Sequence, residues 1–492
     1  MTRGLRAAVA FSAASLLAQG LSLARTIYIA RVLPLEQFGL AATFLLVVTL
    51  VEMATQIRPD LLMMQHRDGN SRAMQAGLQA GQALRGLLGA LLLLALAGPL
   101  AWSFGPSEHP NEHLGSYRML ALIPLLGGLV HFDQHRRKRS MDLGPAALIL
   151  VLPLLGSLLL AIGLSAQVRD AGLMLVALIG QHALAFALSH VLARRRYRWQ
   201  WDPALMRRAL RFGTPILANG ALLFLVFNGE RWIVGHWLGL ADLAVFTLML
   251  NLSMTPALVL AHGVQTWLLP QLARLQDDAA GFARLARTAG QLPFALAIAF
   301  ATSAALVGPP LAARIAGDAY HGGLALFAWL ALAQALRLAQ SGLTLAPLAS
   351  GQTASGLAGN LLRVACLPLG AWWLGQGGGL NGLAQLALVA EAAALAVTFT
   401  LTRRTACVPL RVVAAGLTVV ALIALDTHLT APKASLPAHL HPFQLVYLIA
   451  AGAALGAMLT HPQASAARAL RSILPWALRG RSSSTSNRDG TM

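Results

Sequence analysis

The lysines and arginines of this chain are not spread evenly along it. Of 37, twenty-seven fall in every second gap between apolar segments and only four in the gaps between those. Lys and Arg are retained on the cytoplasmic face of a membrane, so this alternation describes a chain that crosses a bilayer many times with both termini on the cytoplasmic side. Fourteen spans are predicted, roughly 7–30, 38–57, 74–101, 117–132, 143–164, 171–193, 212–235, 242–267, 292–313, 322–346, 357–376, 382–402, 412–428 and 443–460. Most reach the ~20 residues a helix needs to cross hydrocarbon. The sparse side holds only Arg31, Arg169, Arg314 and Lys433, and the remaining six cations, Arg25, Arg85, Arg118, Arg231, Arg337 and Arg363, lie inside spans.

With 57% hydrophobic and 11% charged residues and a mean hydropathy of +0.64, the chain is polytopic rather than soluble. The pI near 11.6 raises nucleic acid as a partner. The basic surplus sits beside membrane ends, however, where anionic lipid headgroups account for it, so anionic lipids are expected partners and nucleic acid is not. The first segment is too long for a signal-peptide core and lacks a small-residue cleavage site, so it is read as retained. Cys366 and Cys407 offer no structural disulfide. Arg outnumbers Lys 35 to 2, which with the Ala and Leu excess points to a GC-rich, bacterial coding sequence and a bacterial inner-membrane location.

The longest loops, 58–73, 102–116, 194–211 and 268–291, are too short to hold a folded domain, and no P-loop is present, so chemistry occurs within the membrane or not at all. An enzyme is not expected, nor a cofactor or metal. His109-Pro110-Asn111-Glu112-His113 spells a zinc-peptidase motif, but Pro110 inside a short external loop prevents the two histidines from sharing a helical face.

The stretch 194–211 mixes arginines with Tyr197, Trp199 and Trp201, as an interfacial segment would, and divides the chain. A weak repeat begins there at an offset of 205 residues: Arg3-Gly4-Leu5-Arg6 meets Arg208-Ala209-Leu210-Arg211. Six spans separate the copies, so both enter the membrane in the same direction. The expected architecture is all-α, with two parallel six-helix lobes (1–193 and 212–402) joined by the 194–211 linker. Two further helices (403–460) and a cytoplasmic tail (461–492) follow. The tail is amphipathic over 463–480 and polar and disordered from Ser482.

Ser12, Ser15, Gln19, Ser22 and Thr26 share one face of the first helix, with Arg25 flanking it. Thr49, Glu52 and Gln56 repeat the device in the second helix, and Gln75, Gln79, Gln82 and Arg85 in the third. Asn219 and Glu230 do so in the seventh, Thr247, Asn251, Thr255, His262 and Gln265 in the eighth, and Gln334, Arg337 and Ser341 in the tenth. Such residues either join helices by hydrogen bonds or line an aqueous cavity. Arginine stays protonated and presents a planar fork that matches phosphate oxygens, so an excess of intramembrane Arg over Glu52, Glu230 and Glu391 favours an anionic, phosphate-bearing cargo. Arg118 opens its span and Arg231 lies near the outer end of its own, and for these two snorkelling is the preferred reading. The candidate cargo-binding residues are Arg25, Arg85, Arg337, Arg363, Gln19, Asn219, Asn251 and His262; Glu52 and Glu230 are candidate ion-coupling groups, or members of permanent Glu–Arg pairs.

Ala30-Arg31-Val32-Leu33-Pro34-Leu35-Glu36-Gln37-Phe38-Gly39 resembles the first external turn of polysaccharide flippases in the multidrug/oligosaccharidyl-lipid/polysaccharide exporter superfamily. Arg211-Phe212-Gly213-Thr214-Pro215 is similar to that family's start of helix seven, and Val264-Gln265-Thr266-Trp267-Leu268-Leu269-Pro270 to its exit from helix eight. The resemblance implies a two-lobed fold, alternating access, and movement of undecaprenyl-diphosphate-linked oligosaccharide to the periplasmic leaflet. It also implies basic cavity residues on helices one, two and eight. Arg25 answers to the first; helix two offers Glu52, with Arg58 at its cytoplasmic end, and helix eight offers His262. O-antigen, capsule and exopolysaccharide pathways are all open, with a glycan polymerase and a chain-length regulator as expected partners. A drug/cation antiporter of the same superfamily is the alternative, although it needs acids dominating the cavity. A glycan polymerase or ligase is the enzyme-class rival, and it needs larger external loops.

Overall fold

The apolar segments are helices. The computed structural model describes residues 3–105, 112–352, 354–403, 405–406, 408–430 and 442–460, among which no strand occurs. In chain order the helices begin with α1 (Arg3–Val32), α2 (Leu35–Thr55), α3 (Pro59–Gln65), α4 (Arg72–Phe104), α5 (Leu114–Met119) and α6 (Leu122–Gly128). Next come α7 (Asp133–Arg139), α8 (Gly144–Leu164), α9 (Gly172–Val191), α10 (Pro203–Trp237), α11 (Leu240–Arg274) and α12 (Ala279–Leu306). The series closes with α13 (Gly308–Ala316), α14 (Leu324–Ala349), α15 (Ala354–Gly375), α16 (Leu380–Thr402), α17 (Leu410–Leu429) and α18 (Pro442–Thr460). The amphipathic segment at 463–480, the polar end from Ser482, Cys407 and His109 to Asn111 lie outside the described residues.

Among the described residues, eleven helices are long and apolar enough to cross a membrane, and a twelfth span results if α5–α6 and α7 are joined across a 47° bend. The protein is therefore a multi-pass membrane protein, but the expected fourteen is not reached on length and apolarity. Helix α1 carries Gln19, Arg25 and Arg31 and falls outside those eleven, and the apolar part of α18, Pro442–Met458, is shorter than they are. The predicted span 117–132 is not one continuous helix. It breaks after Met119 and again after Gly128, and the basic α7 follows the second break.

Helix boundaries follow local chemistry. Ser71 caps α4 by accepting from the Met74 N–H at 3.1 Å. Asp202 caps α10 by accepting from Ala204 and Leu205, with Pro203 at the first helical position, where its missing N–H costs nothing. Asp278 caps α12 through the Gly281 N–H. Helices α10 and α11 each run 35 residues, about 52 Å at 1.5 Å per residue, against a hydrocarbon core of ~30 Å. Because α11 runs on to Arg274 and α12 already begins at Ala279, the predicted 268–291 loop shrinks to the residues between them.

Contacts divide the chain into two units: Met1–Thr255 with Ala312–Leu326 and Arg363–Leu383, and Pro256–Leu311 with Phe327–Leu362 and Ala384–Met492. In the first, α8 packs against both α1 and α9, α2 against α10, and α4 against α6. Gly86 and Gly128 let α4 and α6 meet backbone to backbone, since a Cβ on Gly86 would lie 2.6 Å from the Gly128 Cα. In the second, Leu268, Leu272, Ala286, Ala289 and Ala346 form a core from α11, α12 and α14, and α17 packs on α12 and α18.

Candidate functional site

The most buried of the predicted arginines is Arg25, 2% exposed on α1. Its guanidinium donates through one terminal nitrogen to Ser157 Oγ on α8 at 2.8 Å and to Gln181 Oε1 on α9. Ser157 donates onward to the Ala177 carbonyl at 2.7 Å, which closes a three-helix network. Both partners of Arg25 are neutral, and its Nε has none. A guanidinium held this way is positioned, and its charge has no carboxylate bonded to it.

Next to Gln181 in the chain stands His182. Its Nδ1 lies 2.8 Å from the Leu178 carbonyl, and its Nε2 lies 3.7 Å from Glu52 Oε1 on α2. Glu52 and Asp60 are also the acids within electrostatic reach of Arg85 on α4, whose buried Nε makes no hydrogen bond. Arg58 is committed elsewhere: it adopts a left-handed backbone (φ 49) and grips Asp60 through two 3.1 Å bonds. One unit thus gathers Arg25, Glu52 and Arg85 of the predicted set around α1, α2, α4, α8 and α9.

Arg231 is held between two helices. It donates to Asn228 Oδ1 at 3.1 Å and to Asn251 Oδ1 at 2.6 Å, tying α10 to α11, so the predicted Asn251 meets a cation of its own chain. Glu230 is adjacent to Arg231 and half-buried. In the other unit Arg337 on α14 pairs with Glu391 on α16, and Gln340 one turn on reaches Thr398 at 2.6 Å. Arg363 and Gln19 are half-buried, Asn219 and His262 exposed. The helix-one stripe is partly self-satisfied: Ser15 and Thr26 donate to the carbonyls of Phe11 and Ser22, four residues back. No group of three or more His, Cys, Asp or Glu that could hold a metal occurs among the described residues.

A family model described as "Polysaccharide biosynthesis protein" matches residues 28–323. The chain belongs to this polysaccharide biosynthesis family. No curated protein matches it. Among solved structures it is similar to the lipid II flippase MurJ in an inward closed conformation, at 12% identity and a TM-score of 0.69 over 96% of this chain and 100% of that one. It is also similar to an inward-facing MATE multidrug resistance transporter of the MOP superfamily, at 14% identity and a TM-score of 0.65 over 79% of this chain and 94% of that one. The Vibrio cholerae MATE transporter VcmN matches at 16% identity and a TM-score of 0.56 over 81% and 97% of the two chains. At such identities the likeness establishes the fold, which is the one the first external turn, the start of helix seven and the exit from helix eight had implied.

In this family member, three residues that matter to the network escaped the sequence reading: Ser157, Gln181 and His182. Gln181-His182 is a polar pair in the middle of the otherwise apolar α9, and that interruption was the available signal. Ser157 is a lone serine in α8 and gives none.

Proposed function

We propose that the protein flips a lipid-linked oligosaccharide, carried on undecaprenyl diphosphate, from the cytoplasmic to the periplasmic leaflet of a bacterial inner membrane by alternating access. The glycan belongs to O-antigen, capsule or exopolysaccharide. The observation that carries this reading is Arg25, a buried cation whose hydrogen-bond partners are Ser157 and Gln181 and not a carboxylate. An unpaired charge in hydrocarbon is expensive, and a diphosphate provides the counter-ion together with acceptor oxygens for the guanidinium fork. Membership of a polysaccharide biosynthesis family supports a glycan cargo. A solved structure of the same fold is titled a lipid II flippase, which supports a lipid-linked one. In a deletion strain, lipid-linked oligosaccharide accumulates in the cytoplasmic leaflet and is depleted from the periplasmic one. An unchanged leaflet distribution in that strain rejects the reading.

The second reading is a drug/cation antiporter, favoured by the Glu52–His182 pair and by the MATE likeness. It predicts efflux of a cationic dye that the deletion strain loses, with lipid-linked glycan unaffected.

A further inference from the structure

At the end of α4 that follows the basic 58–73 loop, the structure holds a cavity of about 280 Å³ lined by five arginines. Arg72 comes from the first turn of α4 and Arg194, Arg195, Arg196 and Arg198 from the linker, and no carboxylate stands among the described residues that line it. The cavity is built rather than incidental. Gln75 and Gln79, 3% and 1% exposed, form its floor. Gln75 Oε1 accepts from Arg195 at 3.1 Å, and Gln79 donates to the Arg198 carbonyl at 3.0 Å. The linker backbone is fixed at two further points, where the Arg194 N–H donates to Asp133 at 2.9 Å and the Gln200 N–H to the Ala76 carbonyl. Between them the Tyr197 ring packs 5.0 Å from the His190 ring. The glutamines Gln75 and Gln79, expected to face a transport cavity, serve this pocket instead.

Five arginines border this space, and the nearby acids are fewer: Asp142 lies 4.0 Å from the Arg194 guanidinium, and Asp133 accepts the Arg194 N–H. Burial first, then Arg136 beside the pocket and more weakly Arg72 within it, hold the Arg195 pKa below the usual arginine range, with Asp133 opposing. The N-terminus of the 33-residue α4 adds its partial positive charge at the same place. An anion with several oxygens relieves this arrangement, and phosphate suits the arginine fork. Trp199 and Trp201, 63% and 59% exposed on the same segment, are the residues that settle at a headgroup layer, which puts the pocket mouth where lipid phosphates lie.

We infer that this pocket binds the phosphate of a membrane lipid, separately from the intramembrane residues around Arg25 and whatever the cargo is. The test uses full-length protein in neutral phosphatidylcholine nanodiscs and native mass spectrometry. Phosphatidylglycerol, a polyprenyl diphosphate and inorganic pyrophosphate are added in separate arms. Retention of either anionic lipid supports the inference and names its source: bilayer lipid or carrier. Arg195→Gln with Arg198→Gln lowers that retention by on the order of tenfold or more, whereas Arg207→Gln with Arg211→Gln, an equal charge loss on the same linker, leaves it unchanged. A photoreactive headgroup lipid on the unaltered protein crosslinks within 194–201, a readout that does not depend on variant folding. Equal losses in both double variants, crosslinks only elsewhere, or pyrophosphate binding as tightly as lipid each overturn it. No transport is read, so failure here leaves the proposed flipping untouched.

Discussion

Arg337 on α14 donates through Nε to Glu391 Oε1 on α16 at 3.0 Å, and Glu391 is 3% exposed. The two charges were expected on opposite sides of a ledger of cations and acids; in the structure they neutralise each other. Removing one member of a buried pair strands the other, at about 3–5 kcal/mol, while apolar residues of similar size at both positions are often neutral. Arg337→Ala and Glu391→Ala therefore lower the melting temperature of the detergent-solubilised protein, and Arg337→Met with Glu391→Leu recovers most of it. A recovered melt with lost transport would return Arg337 to the cargo-binding set.

Arg25 is expected to act on cargo. Arg25→Ala abolishes glycan export, whereas Arg25→Lys retains the charge, loses the planar fork and keeps part of the export. Ser157→Ala removes one neutral partner and reduces export less than Arg25→Ala does. Full export by a well-expressed Arg25→Ala protein would falsify this role.

Glu52 and His182 form a titratable pair at 3.7 Å, and Arg85 lies within electrostatic reach of Glu52. We hypothesise that Glu52, or Glu230 beside Arg231, exchanges a proton or sodium ion during the cycle. Glu52→Gln then binds lipid-linked glycan but moves it without dependence on the pH or sodium gradient, and His182→Gln weakens that dependence. Glu230→Gln is tested alongside. Transport in proteoliposomes with wild-type gradient dependence in all three removes carboxylate coupling from these positions.

Topology is checked by labelling. With Cys366 and Cys407 replaced by Ala, Gly115→Cys reacts with an impermeant thiol reagent added from the periplasm and Ala204→Cys does not. Gly115 has no atom within 4 Å of an added Cβ, and Ala204 is exposed, so neither result reflects burial. The reverse pattern inverts the orientation.

What was legible in the sequence is what local periodicity carries. Span positions and the polar face holding Arg25 depend on residues a few positions apart. The partners of Arg25 lie 132 and 156 residues away, and Glu391 lies 54 from Arg337. No hydropathy window encodes such pairings. The break in 117–132 was hidden for a different reason: Pro124, Gly127 and Gly128 are tolerated inside membrane helices, so apolarity alone could not separate one bent span from a straight one. Loop lengths were overestimated where helices run on beyond the apolar stretch, as α11 and α12 do.

The contact of Gly86 with Gly128 is one of several places in the first unit, with Gly39 against Leu240 and Gly213 against Ile57, where the chain meets itself backbone to backbone. Where α1 meets α8 and α9 at Arg25, the link is a long side chain bonded to Ser157 and Gln181. Where α4 meets α6 there is no side chain to yield, and the Gln82 amide pins the crossing further by donating to the Gly127 carbonyl at 3.2 Å. Arg85, one residue before Gly86, is thereby mounted beside a backbone-to-backbone crossing, and Arg25 at a crossing made by side chains. A side chain added at Gly86 or Gly128 would therefore displace the helix that carries Arg85 without touching the residues that hold Arg25.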